Sequence, residues 1–191
     1  MRKIILIIIL LLLTACSTEA VQNTVAENTA TPMPTLLPRE RPSDFQVSYY
    51  WETGSLPPPY FYSYTITIGP GTEGTIKFEP DYSTYDPPVW VENFQMSESD
   101  LDLLYEELYQ ANIFVGQWQQ KEDIPIGGSA DKMAVTAYGR VYSVPSYVEG
   151  EEKSKAVREI YKEIEAFVPQ EIWDKLNEQH DEYVLEHEDE E

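Results

Sequence analysis

Apolar and polar residues alternate along several short stretches in the middle of the chain. In 45–52, phenylalanine, valine, tyrosine and tryptophan occupy every second position, and glutamine, serine, tyrosine and glutamate occupy the others. Because the side chains of a strand point alternately to its two faces, this pattern predicts a strand with one strongly apolar face. The same alternation, interrupted by proline and glycine, predicts further strands in 60–68, 75–79 and 89–96.

After residue 96, apolar residues recur at spacings of three and four, which are typical of amphipathic helices. Ser97 followed by Asp100 predicts a capped helix that begins there. The same spacing predicts a helix over 151–167 and another that follows Pro169, since proline suits the first turn of a helix. Between these helices, 132–146 predicts a hairpin that turns at 138–140, and 114–120 is ambiguous and compatible with a short strand.

This order of elements predicts an α+β fold. We expect a single domain, with an antiparallel sheet, helices packed on one face of it, and helices at its C-terminal end. The domain is expected to span 44–184, followed by an acidic tail at 185–191.

The first residues of the chain combine basic side chains, ten apolar residues from Ile4 to Leu13 and the only cysteine, Cys16. A helix of ten residues is about 15 Å long, half of a bilayer core about 30 Å thick, so the run is typical of a secretory signal peptide. The sequence Leu13-Thr14-Ala15-Cys16 resembles the lipobox of bacterial lipoproteins. The rest of the chain is similar to small bacterial lipoproteins of uncharacterised function, which join a Thr/Pro-rich tether to one α+β domain.

The resemblance implies that residues 1–15 are removed as a lipoprotein signal peptide and that Cys16 carries a diacylglycerol on its sulfur. It also implies an exported protein that is anchored to the bacterial membrane by this lipid. Ser17, rather than aspartate, implies the outer membrane in a cell with two membranes. In a cell with one membrane, it implies the outer face of the plasma membrane. Residues 16–43, with recurrent Thr and Pro and little apolar periodicity, are predicted to form the lipidated N-terminus and a disordered tether.

The net charge of the chain narrows the classes of partner. It is -21, and removal of the signal peptide takes away two basic residues and no acidic ones, which makes it more negative still. Nucleic-acid binding is excluded in practice, because it requires basic patches that neutralise phosphates. Anionic lipid head groups would also repel the domain. Basic surfaces, divalent cations and neutral molecules remain plausible partners, and among these a neutral glycan or a protein is the expected ligand.

The composition also limits the chemistry of the domain. The two histidines, His180 and His187, lie in the last twelve residues, so neither a Ser-His-Asp triad nor a histidine zinc site is predicted in the domain body. These two histidines and the acids around them are predicted to form a frayed, acidic helix end. No cofactor and no metal are expected. An enzyme that uses a pair of carboxylates on a carbohydrate is the alternative that the many acidic residues leave open.

Aromatic residues are unusually dense at the start of the domain, where they make up eight of the twenty residues 45–64. Most of them are expected to pack in the core, Trp51 among them. Since both faces of the first strands carry aromatic rings and the helices cover only one, some rings should remain exposed. Tyr50, Tyr60 and Trp90 are the predicted residues of an exposed platform for a neutral glycan or a protein. The sequence therefore predicts a non-catalytic binding or structural module.

Overall fold

The computed structural model describes residues 38–188. The predicted signal peptide, Cys16 and residues 17–37 of the predicted tether lie outside the described residues, as do residues 189–191. Among the described residues, no helix combines the length and the apolar character that crossing a bilayer requires.

Six antiparallel strands form one sheet. Their bounds are β1 Gln46–Glu52, β2 Ser63–Ile68, β3 Glu73–Glu79, β4 Trp90–Gln95, β5 Ala130–Ala137 and β6 Arg140–Val144. The order across the sheet is β4-β3-β2-β1-β5-β6. The first four strands therefore form a meander, and the β5–β6 hairpin pairs with the free edge of β1. All six strands lie within or around the stretches that the alternation predicts.

Three helices cover one face of this sheet: α1 Glu98–Gln110, α2 Glu151–Ala166 and α3 Gln170–His187. The strand residues facing them are fully buried, including Val47, Ile66, Ile76 and Val135. Their neighbours in β2, Thr65 and Thr67, are half-exposed on the opposite, open face. The predicted α+β domain, with an antiparallel sheet and helices on one face, is confirmed.

The start of α1 follows the predicted cap. The Ser97 hydroxyl accepts a hydrogen bond from the Asp100 backbone N–H at 3.1 Å, and the Asp100 carboxylate accepts one from the Ser97 N–H at 3.2 Å. These reciprocal bonds form a capping box, which satisfies backbone donors that have no partner inside the helix.

The chain contacts the domain before residue 44, the predicted boundary. The guanidinium of Arg41 pairs with Glu98 and, at 2.7 Å, with Asp102 on α1. The hydroxyl of Tyr105 donates to the backbone oxygen of Pro38 at 2.8 Å. Residues 38–43, which the sequence assigned to the tether, are therefore held against α1, and at the other end α3 runs to His187, beyond the predicted limit at 184.

Two local predictions do not match the structure. Residues 114–120 form no strand beyond a single bridge between Gln120 and Val148. The C-terminal helix is not frayed at His180, whose ring packs against Tyr62 at 4.8 Å and Phe78 at 5.8 Å between centroids. This packing anchors the helix to the sheet at a position where the sequence shows mainly charged residues.

Two glutamates from neighbouring helices, Glu107 of α1 and Glu163 of α2, interact across the helix pair. Burial, together with a hydrogen bond and repulsion from Glu163, raises the pKa of Glu107 to about 7. The folded state thus keeps a proton that the unfolded chain loses near its ordinary pKa of about 4.3. The resulting stability is complete below that value and is lost as the pH rises through about 7.

We therefore expect Glu107→Gln to raise the melting temperature at pH 8 by about 2–4 °C, a small shift because the site is partly solvated. At pH 5 the same change should have almost no effect, because glutamine then replaces a protonated, isosteric carboxyl. Thermal unfolding at both pH values measures the difference. Glu178→Gln, which removes an exposed carboxylate of α3, is the matched control. An equal gain at both pH values would contradict the raised pKa of Glu107.

Candidate functional site

A cleft of about 420 Å³ lies at one end of the open sheet face. The register places Glu52, the last residue of β1, opposite Ser63, the first residue of β2, which in turn lies opposite Glu79, the last residue of β3. These three side chains therefore lie side by side at one end of the sheet, where the strands terminate. The loops that follow the strands complete the walls; besides these three, the lining comprises Tyr50, Thr53, Gly54, Ser55, Phe61, Asp81, Tyr82, Ser83, Pro125, Gly127, Gly128, Ala130 and Tyr147.

Hydrogen-bond acceptors and hydroxyl groups dominate this cleft. The hydroxyl of Tyr50 donates to Oε2 of Glu52 at 2.6 Å. Burial, assisted by this bond, raises the pKa of Tyr50 to about 12, so the phenol stays protonated and remains a donor at neutral pH. The ammonium of Lys132 lies 4.6 Å from the centroid of the Tyr50 ring, which fixes the ring from one side.

The other two carboxylates have different surroundings. Glu79 pairs with Lys77 at 3.2 Å on the half-exposed rim of the sheet. Asp81 is only 4% exposed, and it accepts hydrogen bonds from the Tyr82 backbone N–H at 2.7 Å and the Tyr183 hydroxyl at 3.4 Å. Asp81 thus ties the cleft loop to α3, which leaves Glu52 and Glu79 as the acids at the cleft surface.

The walls of the cleft are held by close packing. The rings of Phe61 and Tyr82 stack with centroids 3.9 Å apart, and the Tyr82 hydroxyl donates to the backbone oxygen of Leu56 at 2.7 Å. On the opposite side, Gly54 lies against the backbone of Gly128. A β-carbon at Gly54 would stand 2.7 Å from both the nitrogen and the oxygen of Gly128, so only glycine allows the two loops to approach this closely.

The structure separates the three residues predicted to form a platform. Tyr50 lines the cleft on the open face. Tyr60 is 45% exposed but belongs to the loop before β2 and does not line the cleft. Trp90 is half-buried on the helix-covered face, where it pairs with Phe78 across the strands and stacks on its ring at 5.6 Å. The idea of a single platform is therefore wrong, because Tyr50 and Trp90 lie on opposite faces of the sheet.

Trp51, predicted to be a core residue, packs against the core but is only half-buried. It lines a second, smaller pocket of about 300 Å³ on the helix-covered face, together with Tyr62, Tyr64, Glu165, Trp173 and Asn177. The prediction for Trp51 thus holds for its packing partners and fails for its complete burial.

Sequence reasoning missed Glu52, Glu79, Gly54 and Gly128 as lining residues. The two glutamates are ordinary strand-end residues in the sequence, and only the register of β1, β2 and β3 brings them to one edge. A sequence signal for the pair would have required predicting that register.

Within residues 38–188, no group of three or more His, Cys, Asp or Glu side chains is arranged to hold a metal ion. Neither a known protein-family model nor a curated protein sequence matches this chain at a significant level. The geometry and chemistry of the cleft are therefore what indicates a function.

Proposed function

We propose that the protein is an exported lipoprotein, anchored to the bacterial membrane through Cys16, whose domain binds a neutral glycan without catalysis. The ligand site is the cleft at the end of the open sheet face. Residues 38–43 lie at the N-terminal edge of the domain, so the remaining tether leads from the lipid to the domain.

The composition of the cleft lining supports this ligand class. Among the described residues, those lining the cleft include three carboxylates and several hydroxyls but no lysine or arginine. The hydroxyls of a sugar are hydrogen-bond donors, and a charged acceptor makes the stronger bond with them. Phosphorylated or sulfated ligands would instead meet Glu52, Glu79 and the strongly negative charge of the chain.

The aromatic residues and the size of the cleft agree with the same class. Tyr50, Tyr82 and Tyr147 lie among the polar residues, and aromatic rings offer apolar faces on which a sugar ring packs. The volume of about 420 Å³ lies near the lower end of the range of about 300–1,000 Å³ that is usual for small-molecule sites. A short oligosaccharide therefore suits it better than a folded partner.

One arrangement favours the alternative, a carbohydrate-active enzyme with two carboxylates. Glu52 and Glu79 flank Ser63, so their backbones are two strand spacings, roughly 10 Å, apart. Catalytic carboxylates of glycosidases lie about 5–10 Å apart. In this cleft, however, Glu52 already accepts the Tyr50 hydroxyl and Glu79 already pairs with Lys77, which favours binding over proton transfer.

The test is a titration of the full-length chain with neutral oligosaccharides, namely cello-, malto- and chito-trisaccharides, monitored by calorimetry. We expect one of these sugars to bind and Gly54→Ala to weaken that binding at least tenfold, because the added β-carbon must push the Gly54 and Gly128 loops apart. Thr136→Ala, on the open face away from the cleft, is the control and should bind normally.

The alternative, a carbohydrate-active enzyme, is tested by incubating the same sugars with the protein for a prolonged time and analysing them for cleavage products. If a sugar is cleaved, and if Glu52→Gln and Glu79→Gln each abolish the cleavage, the protein is an enzyme that uses this pair of carboxylates and not a binding module. If none of the sugars binds and none is cleaved, the glycan assignment of the cleft fails.

A further inference from the structure

The smaller pocket on the helix-covered face has a different chemistry from the cleft. It lies where the ends of β1 and β2 meet the junction of α2 and α3. Four aromatic residues form most of its lining, together with one carboxylate and one amide: Trp51, Tyr62, Tyr64, Trp173, Glu165 and Asn177.

The aromatic rings around this pocket meet at different angles. Trp51 lies nearly parallel to Tyr64, with centroids 5.1 Å apart and planes inclined by 16°. Trp173 of α3 stands edge-on to Tyr64, at 5.0 Å and 75°. Tyr62 adjoins Trp51 at 5.3 Å. The pocket is therefore walled by aromatic rings of different orientation.

Contacts within the protein hold these rings in place. The indole N–H of Trp173 donates to the backbone oxygen of Glu165 at 3.3 Å. Tyr62 stacks on the buried Phe78 with centroids 5.2 Å apart. Tyr64 is only 6% exposed. A preformed pocket of this kind loses little conformational freedom when a ligand binds.

Glu165 supplies a negative charge beside the rings. Its Oε1 atom accepts hydrogen bonds from Tyr64 at 2.7 Å and Tyr49 at 3.0 Å, which fix the half-buried carboxylate. None of the described lysines or arginines forms an ion pair with it.

Asp131 is a second acid that interacts electrostatically with Glu165. Burial raises the pKa of Asp131, repulsion from Glu165 raises it further, and Arg158 opposes this shift. The electrostatic environment of Glu165 therefore includes a second carboxylate, with Arg158 near that carboxylate.

We propose that this pocket binds an organic cation, specifically a quaternary ammonium group. Such a group has an apolar surface that packs against aromatic faces and a diffuse charge that is attracted both by those faces and by Glu165. Hard metal ions are a poorer match, because they require several oxygen ligands and the pocket offers one carboxylate. The site is separate from the cleft, and the proposal does not depend on the glycan function.

The test compares choline with 3,3-dimethylbutan-1-ol, which has the same shape without the charge. Each is titrated into the full-length chain, and the indole N–H signals are followed by NMR. Choline should shift the signals of Trp51 and Trp173, whereas those of Trp90 and Trp118, which lie outside the pocket, should stay in place. The neutral isostere should bind at least tenfold more weakly. Equal binding of the two, or no shift with choline at 100 mM, would overturn the proposal.

Glu165→Gln removes the charge but retains an oxygen that accepts the two tyrosine hydroxyls, so the fold should persist. It should reduce choline affinity about tenfold while leaving binding of the isostere unchanged. Glu79→Gln, in the cleft on the other face, is the matched control and should not affect choline. A loss of choline binding in Glu79→Gln as large as that in Glu165→Gln would contradict a local site. Glycerophosphocholine distinguishes the source of the ammonium: tighter binding than choline would indicate a lipid head group, and weaker binding a free molecule.

Discussion

Replacement of Phe78 by alanine should lower the free energy of unfolding by about 3–5 kcal/mol. Phe78 is fully buried in β3, and its ring stacks between Tyr62 at 5.2 Å and Trp90 at 5.6 Å. His180 of α3 packs against the same ring. The substitution therefore removes a large apolar side chain. It leaves a cavity at the place where the β1–β4 meander packs against the C-terminal helix α3. Since small domains are stable by about 5–15 kcal/mol, the loss is a large fraction of the total.

Chemical denaturation of the variant measures this effect. Tyr85→Ala is the control, because Tyr85 is also aromatic but is 62% exposed, and its loss should change stability by no more than about 0.5 kcal/mol. If Phe78→Ala cost no more than Tyr85→Ala, the aromatic stack would not be the packing centre that the distances indicate.

Replacement of Cys16 by serine should move the protein from the membrane fraction to the soluble fraction. The resemblance of Leu13-Thr14-Ala15-Cys16 to a lipobox predicts a lipid on this sulfur, and serine cannot form the thioether. Each buried methylene of an acyl chain contributes about 0.8 kcal/mol, and two or more chains anchor a protein stably. Fractionation of the expressing cells, with mass spectrometry of the N-terminal peptide, measures both the location and the modification.

Ser17→Ala provides the control for this experiment, because it alters the neighbouring residue and keeps the cysteine. That variant should remain with the membrane. An unmodified Cys16 thiol on protein recovered from membranes would contradict lipidation, whatever the behaviour of the serine variant.

The elements of the fold were predictable because their signals are local. The alternation in 45–52 and the capping residues Ser97 and Asp100 involve neighbours within a few positions, and they depend little on the rest of the chain. The same is true of the lipobox-like segment, which remains a prediction because it lies outside the described residues. The single exposed platform failed because it depended on the relative faces of distant strands.

The cleft could not be predicted in the same way. Glu52 and Glu79 come from different strands, and they reach one edge through a register that the turns and the buried face set together. Gly54 and Gly128 come from loops far apart in the sequence, and their contact exists only because β5 pairs with β1. Each of these contacts depends on long-range pairing.

By itself, the sequence determined the type and order of the elements, the capped start of α1 and the strongly acidic character of the chain. Tertiary structure decided which aromatic rings share a surface. Tyr50 and Trp51 are adjacent in the chain, yet one lines the cleft on the open face and the other lines the pocket beside α3. Because side chains alternate along a strand, such neighbours point to opposite faces of the sheet. The packing of α1, α2 and α3 decides which of the two faces is covered.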